Sequence, residues 1–138
     1  NTVVDFQPFP ECTPCVYLLC SSMQSNICYV GETADMNKRL ADHNSASRGS
    51  SFTNQPHLKP WVPVVAITGF PRNPDTQESR TMRKQIEGKW HQINGLKGRC
   101  TLKQSVEIGY VVLNDYQRRK SNNDLYRMLK MHLFLQIP

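Results

Sequence analysis

Apolar residues in this chain come in short bursts between polar stretches, and the spacing within the bursts shifts from two residues to about four. Cys15 to Cys20 (Cys-Val-Tyr-Leu-Leu-Cys) is too brief for a helix and rich enough for a buried strand. The polar turn Ser21 to Asn26 leads into Ile27-Cys28-Tyr29-Val30, a second short strand that ends at Gly31. Two strands joined by a short polar connection predict an antiparallel hairpin. Alternation places Tyr17 and Leu19 on one face of the first strand, and Ile27 and Tyr29 on one face of the second. Thr33 or Asp35 can cap a helix reaching Asn44, because either side-chain oxygen can accept the free amide hydrogens of a first turn. Met36 and Leu40 form its inward stripe, and Arg39 and His43 project together from a neighbouring face. Ser45 to Lys59 is polar, carries Gly49 and Pro56, and reads as a surface loop. Trp61 to Gly69 is the strongest strand signal, and Pro63 within it predicts an edge position or a start after the proline.

After a turn at Pro71 to Pro74, Asp75 and Glu78 have the spacing of a capping box with Asp in place of Ser or Thr. A basic helix is expected from there to about His91, with Met82, Ile86 and Trp90 inward and Glu87 beside that stripe. Gly95 and Gly98 interrupt the chain, and Val106 to Leu113 is a further strand candidate. Asn122 or Asn123 can cap a final amphipathic helix bearing Leu125, Met128, Leu129 and Leu133 on one side. No internal repeat or low-complexity tract interrupts this order. The pattern predicts an α/β domain of the α+β type, a small central antiparallel sheet of three or more strands flanked by helices. Residues 1–14 read as an extended arm, 15–95 as the core, and 96–138 as a basic extension packed on that core.

With 138 residues the chain suffices for one domain with one modest core. No apolar run approaches the ~18 residues a membrane span needs. The chain begins at Asn1 with no basic-then-apolar leader, so a secretion signal is not expected, and a start without Met suggests an excised domain with neighbours outside it. Five cysteines at irregular spacing favour reduced thiols in an intracellular compartment, the nucleus in a eukaryote. Cys12-Thr-Pro-Cys15 is a lone CxxC with no second pair to complete a zinc site, and reads as two ordinary thiols. Net charge is +6, and it is lopsided: residues 1–69 hold four Lys/Arg against five Asp/Glu, residues 70–138 thirteen against six. A basic half suggests an anionic partner, nucleic acid above all, against the plainer reading of a solvated basic surface.

Val16-Tyr17, followed twelve residues later by Tyr29-Val30-Gly31, resembles the paired motif of the GIY-YIG nucleases. Arg39 stands ten residues past the second tyrosine, where that family places a helix arginine, and His43 follows one turn later where members often carry His or Tyr. Glu87 matches the single glutamate of the helix after the third strand. The resemblance is closest to the branch that cuts branched DNA, through Gly69-Phe70-Pro71 at the end of the third strand and Glu87-Gly88-Lys89-Trp90. It covers roughly Val16 to His91, and the cysteine-rich zinc domain of that branch is not in this chain. Three departures stand beside it: Cys-Val-Tyr replaces Gly-Ile-Tyr, Glu32 occupies a position where some members place Lys, and the segment from Pro71 to Glu87 is long. The last leaves Glu78 as a rival for the metal position.

The resemblance implies a metal-dependent endonuclease acting on DNA, although these residues do not distinguish RNA. Its implied catalytic set is Tyr17, Tyr29, Arg39, His43 and Glu87, with Glu87 on a Mg²⁺ or Mn²⁺ ion. Elementary chemistry agrees. Phosphodiester hydrolysis needs an in-line water, a proton acceptor, positive charge on the non-bridging oxygens and help for the leaving oxygen. A phenol, with an unperturbed pKa of ~10, serves as a base only where a cation or hydrogen bond favours its anion. Arginine grips phosphate bidentately, and one carboxylate plus waters suits Mg²⁺. Singly, each residue also has a plainer reading as strand packing or a solvated helix face. Arg80, Arg83, Lys84 and Lys89 on the glutamate helix, Lys97, Arg99 and Lys103 after it, and Arg118-Arg119-Lys120 beyond are expected to hold backbone phosphates, which gives affinity without base reading. Two other classes compete. One is a catalytically idle nucleic-acid-binding module, and the other a protein-interaction domain docking through its last helix.

Overall fold

The computed structural model describes Phe9 and residues 13–72, 74–96 and 100–134. Most of the arm expected over 1–14 lies outside these residues, as do Cys12, Lys97, Gly98 and Arg99. The hairpin forms from β1 (Cys15–Ser21) and β2 (Cys28–Thr33), paired antiparallel with Leu19 opposite Tyr29 and Tyr17 opposite Gly31. Gly31 therefore lies inside β2 instead of ending it. Helix α1 (Met36–Asn44) follows, with the Asp35 side chain accepting from the Lys38 amide at 3.3 Å. Strand β3 (Trp61–Thr68) pairs with the other side of β1, giving an antiparallel sheet of order β2-β1-β3-β4.

Pro63 sits within β3 and not at its start. The sheet tolerates it because β4 (Lys130–Leu133) pairs only with Val65 to Thr68, and because the β1–β3 register shifts between Leu18 and Leu19, beside the proline. Locally, Pro63 occupies an edge.

Every residue of β1 is buried, so its alternation feeds two cores. Val16, Leu18 and Cys20 face helix α2 (Gln77–Leu96), whose Met82, Ile86 and Trp90 are buried as the four-residue spacing predicts. Cys15, Tyr17 and Leu19 face the opposite way, onto Met36 of α1, Leu58 and Trp61. Thr76 caps α2, accepting from the Ser79 amide at 3.0 Å, and not Asp75, whose carboxylate turns to Arg83 instead.

The strand expected over Val106 to Leu113 is part of helix α3 (Leu102–Arg119). Valine and isoleucine favour strands in isolation, but a capping box of Thr101 and Gln104 starts a helix here. Val106, Gly109, Val112 and Leu113 are then buried at three- and four-residue spacing. The final amphipathic helix is also corrected. Only one turn forms, α4 (Asp124–Arg127), before the chain pairs with the open edge of β3 as β4. Met128 and Leu133 are exposed, whereas Tyr126 and Leu129 are buried, so the expected single stripe does not exist. Among the described residues no helix is long and apolar enough to cross a membrane, and Cys15, Cys20, Cys28 and Cys100 are free thiols.

Helix α3 packs closely on α2 because Gly109 has no side chain: a Cβ there would lie 2.4 Å from Cζ2 of the fully buried Trp90, whose indole donates to the Ser105 carbonyl at 2.9 Å. The indole cannot yield without losing that bond. Gly109→Ala is therefore expected to destabilise the fold by about 1–3 kcal/mol despite alanine's higher helix propensity. Urea unfolding followed by tryptophan fluorescence measures this, and an unchanged or raised midpoint would refute the packing argument.

Candidate active site

Tyr17 and Tyr29 come from neighbouring strands but are not equivalent. Tyr17 is sealed, and its ring lies across Gly31, where a Cβ would approach the phenol oxygen to 2.4 Å. That close approach is the local reason for glycine in the second motif. The Tyr17 hydroxyl lies 2.7 Å from Nε2 of His43, and His43 Nδ1 lies 2.7 Å from Oγ1 of Thr53. Thr53 Oγ1 already accepts from the Ser50 amide at 2.9 Å. All these groups are satisfied when Nδ1–H donates to Thr53 and Nε2 accepts from Tyr17. The positive charge of Arg39 bears on the Tyr17 oxygen and favours its anion.

Burial pushes the Tyr17 phenol far above its ordinary range, as does the neighbouring Tyr29, against the opposing pull of Arg39. His43 is brought down to about 4, chiefly by burial and then by the Arg39 charge; Asp42 opposes this and Lys59 adds to it. The pair is neutral at physiological pH, held by hydrogen bonds rather than charge.

Tyr29 is half-buried. Its ring centroid lies 6.5 Å from Tyr17, 5.1 Å from His43 and 6.4 Å from His91, with Phe52 stacked on it at 6.2 Å and 16°. Because β2 is the outer strand of the sheet, α2 can reach past it, and His91 arrives beside Tyr29 with Glu87 one turn earlier at 4.0 Å. Burial raises the Glu87 carboxyl above its ordinary value; His91 opposes this, Glu32 adds to it, and Lys84 opposes it. Arg39, half-exposed, donates to the Arg48 carbonyl at 3.2 Å and lies 3.8 Å from Asp42. Tyr17, Tyr29 and His43 thus meet directly, the charge of Arg39 reaches Tyr17 and His43, and Glu87 joins them through His91. Glu78 is exposed and its charge is felt by Tyr126, which sits in the core between α2 and α3.

The basic residues divide. Arg83, expected to face phosphates, is 1% exposed and bound between Glu32 at 3.0 Å and Asp75 at 2.9 Å, where it ties α2 to β2. Its guanidinium is used internally. Lys84 is exposed and pairs with Glu32, and Arg80 is exposed near Asp75. Lys89 shares a groove on the α3 side of α2 with Arg118, while Arg118 and Arg119 both pair with Asp115 and Lys120 is exposed.

Sequence reasoning missed the loop before β3. Lys59 Nζ donates to the carbonyls of His43, Ser45 and Thr53 at 2.6, 2.6 and 3.0 Å, and the Trp61 indole donates to Thr53 at 2.9 Å. Thr53 is fully buried. Polar composition hid this, and a lone Phe52 amid polar residues is the only sequence signal of it.

The family model for the GIY-YIG catalytic domain matches residues 13–99. The structure-specific endonuclease subunit slx1 of Talaromyces stipitatus is 31% identical over 109 residues, covering 78% of this chain and 24% of that protein. Its counterpart in Talaromyces marneffei is 29% identical over 119 residues, 83% of this chain and 26% of the relative. In Paracoccidioides lutzii the subunit is 30% identical over 140 residues, 96% of this chain and 30% of the relative. The chain therefore spans 24% to 30% of the length of these curated relatives.

His43 titrates near 4 when folded against 6.5 when free, so between these values the unfolded chain binds the extra proton. The stability held by neutral His43 is full above pH 6.5 and drains away as the pH falls towards 4, by at most about 1.4 kcal/mol per pH unit. Denaturant midpoints between pH 7 and 5 should fall steeply in the native protein and less so in His43→Gln. Parallel slopes would mean that the imidazole is not the titrating group.

Proposed function

The chain belongs to the GIY-YIG nuclease family, and from that premise we propose that it is an endonuclease hydrolysing phosphodiester bonds in DNA, selecting branched or flapped structures. The observation that carries the reading is the convergence of Tyr17, Tyr29, Arg39 and His43 from one hairpin–helix unit beside Glu87 from α2. Among the described residues no cluster of three or more His, Cys, Asp or Glu is placed to hold an ion. A Mg²⁺ or Mn²⁺ ion would therefore take one carboxylate, Glu87, and complete its shell with water and phosphate oxygens, as hard hydrated cations do. Glu87 fits that role, since burial and the Glu32 charge already disfavour its lone negative charge. Bound there, the ion would supply Lewis-acid stabilisation of charge at phosphate and leaving oxygen.

The protein groups divide the remaining work. Arg39 offers its guanidinium to the non-bridging oxygens as charge develops on them. Tyr29, the phenol within reach of solvent, accepts a hydrogen bond from the attacking water and orients it. Tyr17 and His43 act on Tyr29 by packing: neutral and mutually hydrogen-bonded, they hold its ring without exchanging charge. The exposed cations Arg80, Lys84, Lys89, Arg118, Arg119 and Lys120 hold the backbone. The relatives are named as subunits, which supports a partner polypeptide for this chain too, and a DNA substrate places its work in the nucleus of a eukaryote.

Flapped and four-way DNA incubated with Mg²⁺ tests the reading. Glu87→Gln should lower kcat by about 100-fold or more while leaving DNA binding within a few-fold, and Arg39→Ala should lower kcat comparably. Salt-dependent binding with no cleavage, indifferent to Mg²⁺ and to Glu87→Gln, would replace the enzyme with an idle binding module.

A further inference from the structure

Phe52 has no assigned role, yet it is among the exposed large apolar side chains, with 41% of its surface open. It is not loose. One side of its ring is stacked on Tyr29, and it is tilted against Trp61 at 5.8 Å and 44°. Its chain neighbour Thr53 is fixed to His43 through the side chain and to Lys59 and Trp61 through its carbonyl. Asn54 closes the same loop by accepting from the Gly49 amide at 3.0 Å. The loop therefore holds an aromatic ring in water over the proposed water-orienting phenol, at a standing cost in apolar hydration. Four residues earlier the exposed Arg48 lies beside Arg39, which is hydrogen-bonded to its carbonyl. A fixed aromatic next to cations is how proteins hold single-stranded nucleic acid, because every base presents a π face and every nucleotide a phosphate.

We propose that Phe52 is a stacking platform for one unpaired nucleobase adjacent to the phosphate held by Arg39. An intact duplex keeps its bases stacked on each other and cannot offer one without distortion. A flap, a junction arm or a nick offers one readily. Selectivity for branched DNA then arises at the site itself, without reading base edges. The inference rests on the nuclease reading above and names its recognition element.

The test scans a single abasic site through the nucleotides flanking the cut in a flapped substrate. With the native protein, one position should lower kcat/KM by about tenfold, in keeping with the loss of one base–aromatic stack. Phe52→Ala should show the same loss on the intact flap and no further loss at that abasic position, and Phe52→Trp should restore both activity and abasic sensitivity. If base removal costs Phe52→Ala as much as it costs the native protein, the two act independently. Phe52 then only supports Tyr29, and the proposal fails. It fails equally if no position is sensitive. A binding readout separates this from failure of the nuclease reading. In Glu87→Gln, 2-aminopurine at the sensitive position, or at each flanking position if nothing is cut, should be quenched at one site on binding. Adding Phe52→Ala should abolish that quenching. Quenching without any cleavage by the native protein would remove the enzyme and keep the platform; cleavage without quenching would do the reverse.

Discussion

Placing a phenol in a sheet interior requires a partner for its hydroxyl and room for its ring, and this fold meets both needs within one hairpin and one helix. Gly31 supplies the room, because any side chain there would collide with the Tyr17 oxygen. His43 supplies the partner, and burying an unpaired hydroxyl would cost several kcal/mol, roughly 2–7. The imidazole raises the same demand for its other nitrogen, which Thr53 meets. Thr53 in turn requires its loop to fold back onto α1, and Lys59 secures that by capping three carbonyls. One buried oxygen thus propagates order from the hairpin through α1 to the loop before β3. Each link is a polar group that would otherwise be stranded.

Helix α2 is attached by a different force. Its Met82–Ile86–Trp90 stripe would pack on the sheet at more than one height, since apolar contact has little direction. Arg83 removes that freedom. Held between Glu32 of β2 and Asp75 just before the helix, it fits only one register of α2 against the edge strand. A buried ion pair gains little net stability over apolar packing, but it costs several kcal/mol to break, so its worth here is positional. Glu87 lies one turn further along the same helix, and its distance from Tyr29 is fixed by that register. Glu32, a departure from the basic residue found in some family members, is the sheet's half of this clamp.

Local signals in the chain foretold the hairpin, α1 and the inward stripe of α2, because alternation and four-residue spacing report directly on which face is buried; the five candidate site residues came instead from the family resemblance. They misled where tertiary demand overrode local preference. Val106 to Leu113 has strand-forming residues, yet its capping box and the flat approach to Trp90 at Gly109 make it helical. The segment after Asn123 has helical spacing, yet the unpaired edge of β3 draws it into a strand. Thr53 and Lys59 were illegible for another reason. Their partners are backbone carbonyls and a histidine that only the closed loop brings near, and nothing in the residue types announces such a bond.

The basic half of the chain shows why counting charges overstates a phosphate grip. Seen from a distance, the net +6 attracts DNA whichever cations are paired, since the far field depends on the sum. At contact the pairing decides. Arg83 is enclosed, Lys84 faces Glu32, and Arg118 and Arg119 share Asp115. A phosphate approaching any of these must compete with a carboxylate already in place. Close to the tyrosines Arg39 also faces a carboxylate, Asp42 at 3.8 Å, while Arg48 is exposed, and beside them stands the exposed ring of Phe52. Screening by salt weakens a charge contact and leaves a stack largely intact. The proposed platform at Phe52 would therefore keep its hold where the phosphate contacts weaken.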